Sequence, residues 1–179
     1  MDIIDPLNKQ EQKYYPLPYT AKKCQIVRDL IKDRRFTLDL DSLYRDLPLE
    51  QFMLYCYKTS FCPAINQKHE WSECNYAHRQ QDFRRPPYSF FYYPERCPEI
   101  NDDGSWEQCE DDLDCQYSHT LIETLFNPLH YKLSDCPDKT GPSKFSCTKN
   151  GDLCCHAHSK EDREQSIDAM KDVPKQLVF

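Results

Sequence analysis

The apolar residues of the first fifty positions repeat at helical spacing. A first helix is predicted from Thr20 to about Arg35. Its apolar face carries Ile26, Val27, Leu30 and Ile31. A second, short helix is predicted to begin near Asp41 and to end before Pro48. Residues 20–50 are therefore expected to form a helical cap packed on the segment that follows, with a docking helix for a partner as the alternative.

The segments on either side of this cap lack helical periodicity. Residues 1–19 are polar and contain paired tyrosines and prolines, which predicts an extended N-terminal arm. Residues 51–160 are rich in loops, and the aromatic tract 86–94 within them is predicted to be a core strand. A nucleotide-stacking platform and a protein-docking surface are the alternatives for that tract. Residues 161–179 are predicted to be a C-terminal tail that contains a short helix near 161–171.

The composition leaves little material for a conventional hydrophobic core. The 179 residues include three glycines, thirteen prolines and eleven cysteines, and small units without a large core are usually held by disulfides or metals. The N-terminal sequence lacks the pattern of a signal peptide, and no apolar stretch approaches the roughly 20 residues that span a bilayer. We therefore expect a cytoplasmic or nuclear protein with no membrane partner, whose reduced cysteines bind metal.

The cysteines and histidines form three sets that share one ending, a Cys and a His separated by three residues. The first set is Cys62, His69, Cys74 and His78. The second is Cys97, Cys109, Cys115 and His119, and the third is Cys136, Cys147, Cys154 and His158. Four thiolate and imidazole donors at short spacing are what a closed tetrahedral zinc site requires. The sequence therefore predicts three zinc ions and a small, irregular fold that the metals stabilise.

Two further cysteines are alternative ligands, one for the first set and one for the third. Cys56 would replace His69 in an alternative register of the first set, with a longer loop than zinc fingers normally use. Cys155 would replace Cys154 in the third set. In either register four protein ligands leave no open position for water or substrate, and Gly-rich phosphate loops and nucleophile motifs are absent. We therefore expect a binding protein and not an enzyme.

Two stretches of the chain resemble a known zinc-finger array. Residues 52–62 (FMLYCYKTSFC) and 68–78 (KHEWSECNYAH) are similar to the array shared by plant arginine-rich tandem CCCH proteins and the animal protein Unkempt. The segments 84–100 and 127–136 match later elements of that array in the same order, with Asn127 in place of its histidine. The resemblance implies three tandem CCCH-type fingers with few short helices and strands, preceded by a short helical segment.

By this resemblance, the protein is expected to bind single-stranded RNA and to act in RNA regulation. Tyr76 and Tyr117, which lie between the last Cys and the His, would be base-stacking positions, because aromatic rings stack on bases without strict sequence preference. Arg84, Arg85 and Tyr88 of the basic segment would add phosphate and base contacts. The alternative for the tyrosines is that they pack over the zinc and close each small core.

The charge distribution favours a different kind of partner. The formal net charge is −7, and the second finger, residues 97–119, holds no lysine or arginine. It holds eight acidic residues: Glu99, Asp102, Asp103, Glu107, Glu110, Asp111, Asp112 and Asp114. Such a surface repels phosphate, which supplies most nonspecific affinity for nucleic acid. The alternative function is therefore a zinc-stapled adaptor or structural subunit, which binds protein partners within a larger assembly through finger 97–119 and tract 86–94.

Overall fold

The computed structural model describes residues 21–101, 106–138, 147, 150–171, 174 and 177. The predicted N-terminal arm lies outside the described residues. The helices are α1 (Ala21–Lys32), α2 (Leu40–Asp46), α3 (Leu49–Tyr55), α4 (Leu121–Leu125) and α5 (Lys160–Ala169), and the strands are β1 (Tyr93–Arg96) and β2 (Tyr117–Ser118). Among the described residues, no helix is both long enough and apolar enough to cross a membrane.

The first two predicted helices are confirmed, with a difference at the end of the first. Helix α1 stops at Lys32 because Arg34 has a left-handed backbone, with φ of 55°, which few residues with a side chain adopt inside a helix. Helix α2 is capped by Asp39, whose carboxylate accepts a hydrogen bond of 3.0 Å from the backbone N–H of Ser42. Pro48 ends α2 and precedes α3, a helix that the apolar periodicity did not predict.

The helical cap divides between two cores. Ile31 at the end of α1 belongs to a cluster with Phe83, Trp106 and Leu113, so that α1 contributes to a core that the second finger shares with Ala77 and Phe61 of the first. Helices α2 and α3 belong to a separate core that holds aromatic residues of the first and third fingers. Helix α5 adds to this second core, where the Tyr55 hydroxyl donates to the backbone oxygen of Met170 at 3.1 Å. The cap therefore joins the fingers to one another.

The aromatic tract 86–94 is a core segment, but it is not the strand that its composition predicted. Its first part forms a turn at residues 87–89, and β1 begins only at Tyr93. Tyr88, Phe90 and Tyr92 are buried, which also removes most of the tract as a docking surface or stacking platform. Pro86 and Pro87 begin the tract with a turn and cannot donate to a ladder, which explains why the strand does not start there.

One short parallel pairing recurs in each finger and sets the position of its ligands. Strand β1 pairs with β2, and two isolated bridges, Phe61 with Ala77 and Asp135 with Ala157, repeat the arrangement. In each finger, the backbone N–H of the first cysteine donates to the residue just before the histidine, at 2.8 Å. These pairings bring the first and last ligands of each set together, although they are 16 to 22 positions apart in sequence.

Candidate metal centres

The structure brings the twelve predicted ligands together as three groups of four. Within each group, the donor atoms of the side chains lie within 4.8 Å of one another. The groups are Cys62, His69, Cys74 and His78; Cys97, Cys109, Cys115 and His119; and Cys136, Cys147, Cys154 and His158. All four ligands of the second and third groups are buried, whereas His69 and Cys74 of the first are partly exposed.

The sulfur separations match a tetrahedron of zinc–thiolate bonds. The Sγ of Cys97 lies 3.8 Å from the Sγ atoms of both Cys109 and Cys115, and Cys136 and Cys154 are 3.7 Å apart. With a zinc–sulfur bond of about 2.3 Å, the edge of a regular tetrahedron is about 3.8 Å. These cysteines are all free, and their Sγ atoms are much farther apart than the roughly 2.0 Å of a disulfide.

A turn of 3₁₀ helix immediately precedes the third ligand of each finger. These turns are Trp71–Glu73, Asp112–Asp114 and Gly151–Leu153. Backbone N–H groups then point at sulfur: Tyr117 donates to Cys115 at 3.4 Å and Asn150 donates to Cys147 at 3.3 Å. Such hydrogen bonds stabilise a thiolate, which is the form of cysteine that binds metal.

The buried donor atoms of the groups suit a bound cation. Burial raises the pKa of the Cys109 thiol to about 12, with a further contribution from Glu99, and burial also raises that of Cys154 to about 12. Burial, followed by the nearby Arg85 charge, lowers the pKa of His119 to about 4. Neither ring nitrogen of His119 or His158 has a hydrogen-bond partner, although all four are buried. A divalent zinc ion fits these donors, since it stabilises thiolates and takes a neutral imidazole nitrogen.

The alternative ligands lie outside the groups. Cys56 is buried in the core of α2 and α3, and burial raises the pKa of its thiol to about 12. His69 instead occupies the second position of the first group, with Nε2 3.6 Å from the Sγ of Cys62. Cys155 also belongs to the core of α2 and α3, while its neighbour Cys154 faces the third group. The structure therefore selects the registers that use His69 and Cys154.

In each finger, an acidic residue that was not among the predicted site residues accepts a hydrogen bond from the C-terminal histidine. The acid lies four residues after the histidine, and the three are Asp82, Glu123 and Asp162. Each carboxylate accepts the backbone N–H of its histidine, at 3.2 Å for Asp82, 2.7 Å for Glu123 and 2.9 Å for Asp162. These hydrogen bonds fix the backbone at each histidine ligand, and in the first and third fingers the carboxylate also lies 3.7 Å from the ring Nδ1. The recurring His-x3-Asp/Glu spacing is the signal that predicts them.

In the first and third fingers, a buried lysine pairs with this acid. Lys58 and Lys132 each lie four residues before the first cysteine, and each has a left-handed backbone, with φ of 61° and 56°. The Nζ of Lys58 is 3.8 Å from Asp82, and that of Lys132 is 2.5 Å from Asp162. Each ammonium also lies 5.6 Å from the ring centroid of the preceding tyrosine, a favourable cation–π distance.

In the second finger, Arg85 takes the place of the lysine. Its guanidinium forms two hydrogen bonds of 2.8 Å with Glu123 and stacks 4.3 Å from the ring centroid of Tyr92. It also donates to the backbone oxygens of Leu113, Cys115 and Tyr117. The charge of Arg85 lowers the pKa of Glu123 against the opposing effect of burial. Arg85 lies in the segment between the first and second fingers, so this ion pair also fixes their junction.

Arg84 is the other buried arginine, and it closes the end of a helix. Its guanidinium donates to the backbone oxygens of Met53 at 2.7 Å and of Phe126 at 2.6 Å, and also to those of Leu54 and Tyr57. Cations stabilise helix C-termini because the last carbonyls lack partners. The prediction that Arg84 and Arg85 bind RNA phosphates is therefore wrong, since neither guanidinium reaches the surface.

The predicted stacking tyrosines also divide. Tyr76 is buried, with its hydroxyl 3.4 Å from the backbone N–H of Asp41, and Tyr88 is buried in the same core. Their predicted RNA contacts are wrong for the same reason as those of the arginines, because both rings are buried in the core and cannot stack on a base. Tyr117 is 45% exposed and remains accessible. On the first finger, Trp71 is 42% exposed, and the sequence-based predictions above did not include it.

Part of the acidic second finger is paired within the protein. Arg28 of α1 donates to Asp114, with Nε at 3.0 Å, and Lys32 forms an ion pair with Asp112. These contacts hold α1 against the finger beside the apolar contacts of Ile31. The acidic residues of the second finger suggested an external partner. Two of them instead pair with basic residues of α1 in the same chain.

Comparisons with known proteins agree with these metal centres. Residues 51–85 match a family model described as AtC3H23-like, CCCH zinc finger. Zinc finger CCCH domain-containing protein 23 of Arabidopsis thaliana is 32% identical over 154 residues, which are 82% of this chain and 45% of that protein. Protein 54 of the same series is 29% identical over 118 residues, 65% of this chain and 43% of that protein. Zinc finger CCCH domain-containing protein 2 of Oryza sativa subsp. japonica is 27% identical over 129 residues, which are 72% of this chain and 30% of that protein.

The chain spans less than half the length of these curated relatives. The matched model covers the first finger, and the aligned relatives extend the similarity beyond it. Together with three Cys/His groups of tetrahedral size, these matches confirm the predicted family and the predicted zinc ions. The chain is therefore a CCCH-type zinc-finger protein that carries three zinc ions.

Proposed function

We propose that this protein binds single-stranded RNA, and that the exposed face of the first finger makes the principal contact. The observation that carries the proposal is the exposed indole of Trp71, which the first metal centre holds in place. RNA binding is typical of CCCH fingers, and a role in RNA regulation in the cytoplasm or nucleus follows from it. Because each zinc has four protein ligands, we propose a binding function and no catalytic one.

Trp71 is held flat against a zinc ligand. Its ring stacks on the imidazole of His78, with centroids 4.7 Å apart and planes 7° from parallel. The imidazole of His78 is a ligand of the first metal centre and its backbone N–H donates to Asp82, so the stacking partner of the indole is itself held in place. The outer face of the indole is left for a base, and stacking of a base on an aromatic ring contributes about 1–3 kcal/mol. Immobilisation in the free protein reduces the entropy cost of binding.

One exposed cation lies beside this platform, and a second is near it in the sequence. The guanidinium of Arg79 lies 6.0 Å from the ring centroid of Trp71, and the exposed Lys68 is three residues before Trp71 in the chain. Both remain available for phosphate because neither is buried, in contrast to Arg84 and Arg85. An aromatic ring beside cations is the usual construction of a site that binds single strands with little sequence preference.

The test is a salt titration of RNA binding by the zinc-loaded protein and by Trp71→Ala. The variant is expected to lose about 10- to 100-fold in affinity, which corresponds to about 1–3 kcal/mol. Tyr44→Ala is the matched control, since Tyr44 is an aromatic residue of α2 that is 41% exposed, and it is expected to bind like the unchanged protein. Equal affinity of Trp71→Ala and Tyr44→Ala would contradict the proposed contact surface.

A second experiment separates the charge contribution from the stacking contribution. Replacing both Lys68 and Arg79 by Gln is expected to weaken binding of every RNA sequence and to reduce the slope of log affinity against log salt by about 1–2. The double variant should keep its three zinc ions and its stability, because both side chains are exposed. Salt-independent binding by the unchanged protein would overturn the proposal.

The acidic second finger favours a second candidate function, that of a zinc-stapled adaptor. Glu107, Glu110 and Asp111 are exposed on this finger, beyond the acids that pair with α1. A protein complex that survives the Lys68 and Arg79 changes, but is lost when these three acids are neutralised, would support the adaptor. The interlocked fingers suit either function, since both require a rigid surface.

A further inference from the structure

A buried lysine of the first finger contacts the backbone of the Trp71 platform. Lys58 is only 5% exposed, so it cannot itself reach a ligand at the surface. Its ammonium donates a hydrogen bond of 2.9 Å to the backbone oxygen of Tyr76 and a longer one of 3.4 Å to that of Trp71. The backbone N–H of Cys74 also donates to the Trp71 oxygen, at 3.4 Å. Lys58 therefore ties the turn that carries the indole to the segment between the last two zinc ligands of the finger.

The acidic partner of this lysine holds the rest of the platform. Asp82 lies 3.8 Å from the ammonium of Lys58 and accepts the backbone N–H groups of His78 at 3.2 Å and of Arg79 at 2.7 Å. His78 is the residue on which the indole stacks, and Arg79 supplies the cation beside the indole. One ion pair therefore contacts the backbone of all three residues that form the platform, Trp71, His78 and Arg79.

The third finger has the same pair without a platform. The ammonium of Lys132 lies 2.5 Å from Asp162, at hydrogen-bond distance. Lys58 is too far from its own acid for such a bond, and it donates to the two backbone oxygens instead. The residue three positions before the third zinc ligand is Trp71 in the first finger and Gly151 in the third. The lysine thus binds its acid directly in the finger without a ring at this position, and binds the turn in the finger that has one.

We propose that Lys58 is a positioning residue for the RNA-binding surface, an inference that rests on the proposed RNA binding. Because the lysine is buried, it acts through Trp71 and not by contact with RNA. It fixes the turn that carries the indole before RNA arrives, so that less conformational freedom is lost on binding. Lys132, in the finger without this ring, is then expected to serve stability alone.

The experiment compares Lys58→Met with Lys132→Met, its matched control, in the zinc-loaded protein. Lys58→Met is expected to weaken binding of a short single-stranded RNA of mixed sequence about 3- to 10-fold, the range for one side chain that must be ordered on binding. Lys132→Met should change this affinity less than about twofold, although it should lose more stability because both members of its pair are buried. The two orders are opposite. A loss of affinity that follows the loss of stability would overturn the proposal.

A double-mutant cycle tests whether Lys58 acts through the indole. In a Trp71→Ala background, Lys58→Met should cause no further loss of affinity, because the ring that the lysine positions is gone. A further loss of the same size in that background would contradict the proposal. If Lys58→Met loses a zinc ion, Lys58→Gln and Lys132→Gln form the second pair of variants, with the same expected order of affinities.

Fluorine NMR of fluorotryptophan-labelled protein reports on the indole without RNA. The signal of Trp71, assigned with Trp71→Phe, should shift or broaden in Lys58→Met and stay unchanged in Lys132→Met. A purely structural role of both lysines would not produce this difference. A Trp71 signal that Lys58→Met leaves unchanged would count against the positioning role.

The outcomes separate this inference from the function on which it rests. RNA binding that Trp71→Ala weakens and Lys58→Met does not would overturn the positioning role and leave the Trp71 surface intact. Absence of RNA binding by the unchanged protein would overturn both.

Discussion

The C-terminal histidine of each finger bonds to an acidic residue, and that acid pairs with a cation. The first and second fingers differ in which part of the chain supplies this cation. In the first finger, Lys58 comes from the same finger, four residues before the first cysteine. In the second, Arg85 comes from the connecting segment, and its Nε and Nη2 donate to the two carboxylate oxygens of Glu123. The first centre can therefore form from its own residues. The second needs the segment that joins it to the first, so its metal centre and the junction between fingers are one structure.

Exposure follows the same division. The first centre has two thiolates and two imidazoles, with His69 and Cys74 partly exposed, and it presents Trp71 to solvent. The second has three thiolates, all four ligands buried, and a core that contains Trp106. A centre that presents a binding surface tolerates exposure, whereas a centre that joins fingers must exclude water. The comparison suggests that one finger of the array serves contact and another serves architecture.

The largest effect is expected from removing a ligand of the second centre. Cys115→Ala should lose one zinc and unfold the second finger together with the α1 contact, because structural zinc contributes about 10–16 kcal/mol to folding at neutral pH. Cys74→Ala should lose one zinc while Trp106 stays buried. Zinc stoichiometry and fluorescence of Trp106 in a Trp71→Phe background distinguish the two. If both variants expose Trp106 equally, the fingers are not divided as proposed.

The next effect concerns the shared ion pair. Arg85→Leu should destabilise the protein by about 3–5 kcal/mol, because it leaves the carboxylate of Glu123 buried without its partner. Denaturant unfolding of the zinc-loaded protein measures this loss. The double variant Arg85→Leu with Glu123→Leu should recover part of the stability, since no uncompensated charge remains. A single variant as stable as the unchanged protein would show that the pair contributes nothing to folding.

A smaller difference is expected between the lysines of the first and third fingers. Both partners of the Lys132–Asp162 pair are buried, whereas Asp82 is partly exposed beside Lys58. Lys132→Met should therefore cost about 3 kcal/mol and Lys58→Met only about 1–2 kcal/mol, because water can solvate Asp82 when its partner is gone. Thermal unfolding of the two variants, with all three zincs bound, provides the comparison. The reverse order would contradict the dependence on burial.

The smallest effect is expected at the surface of α1. Lys32→Ala removes an ion pair with Asp112 in which the lysine side chain is half exposed. Such pairs contribute about 0–1 kcal/mol and weaken as salt rises. The variant should thus unfold within about 1 kcal/mol of the unchanged protein at low salt and indistinguishably from it at high salt. A loss comparable to that of Arg85→Leu would mean that α1 docking depends on charge rather than on the apolar contact of Ile31.

The metal centres were predictable because their information is local. Ligand spacing, the closed donor sets and the helices of the cap all depend on residues close together in sequence, and the structure brought the same twelve ligands together. The His-x3-Asp/Glu repeat was also present in the sequence, and spacing alone could have revealed it. Its function could not be inferred, since a carboxylate four residues from a histidine on a loop can equally face solvent.

The roles of the arginines and tyrosines depended on partners distant in sequence. Arg84 binds backbone oxygens about 30 residues before it and 42 residues after it, and Arg85 binds a carboxylate 38 residues away. A basic and aromatic segment is typical of a nucleic-acid-binding surface, and only the distant backbone oxygens and carboxylate show that its arginines are used inside the protein. The sequence by itself determined which residues bind zinc. Only the tertiary structure decided which cations and rings remain at the surface, because burial depends on how the fingers pack against one another.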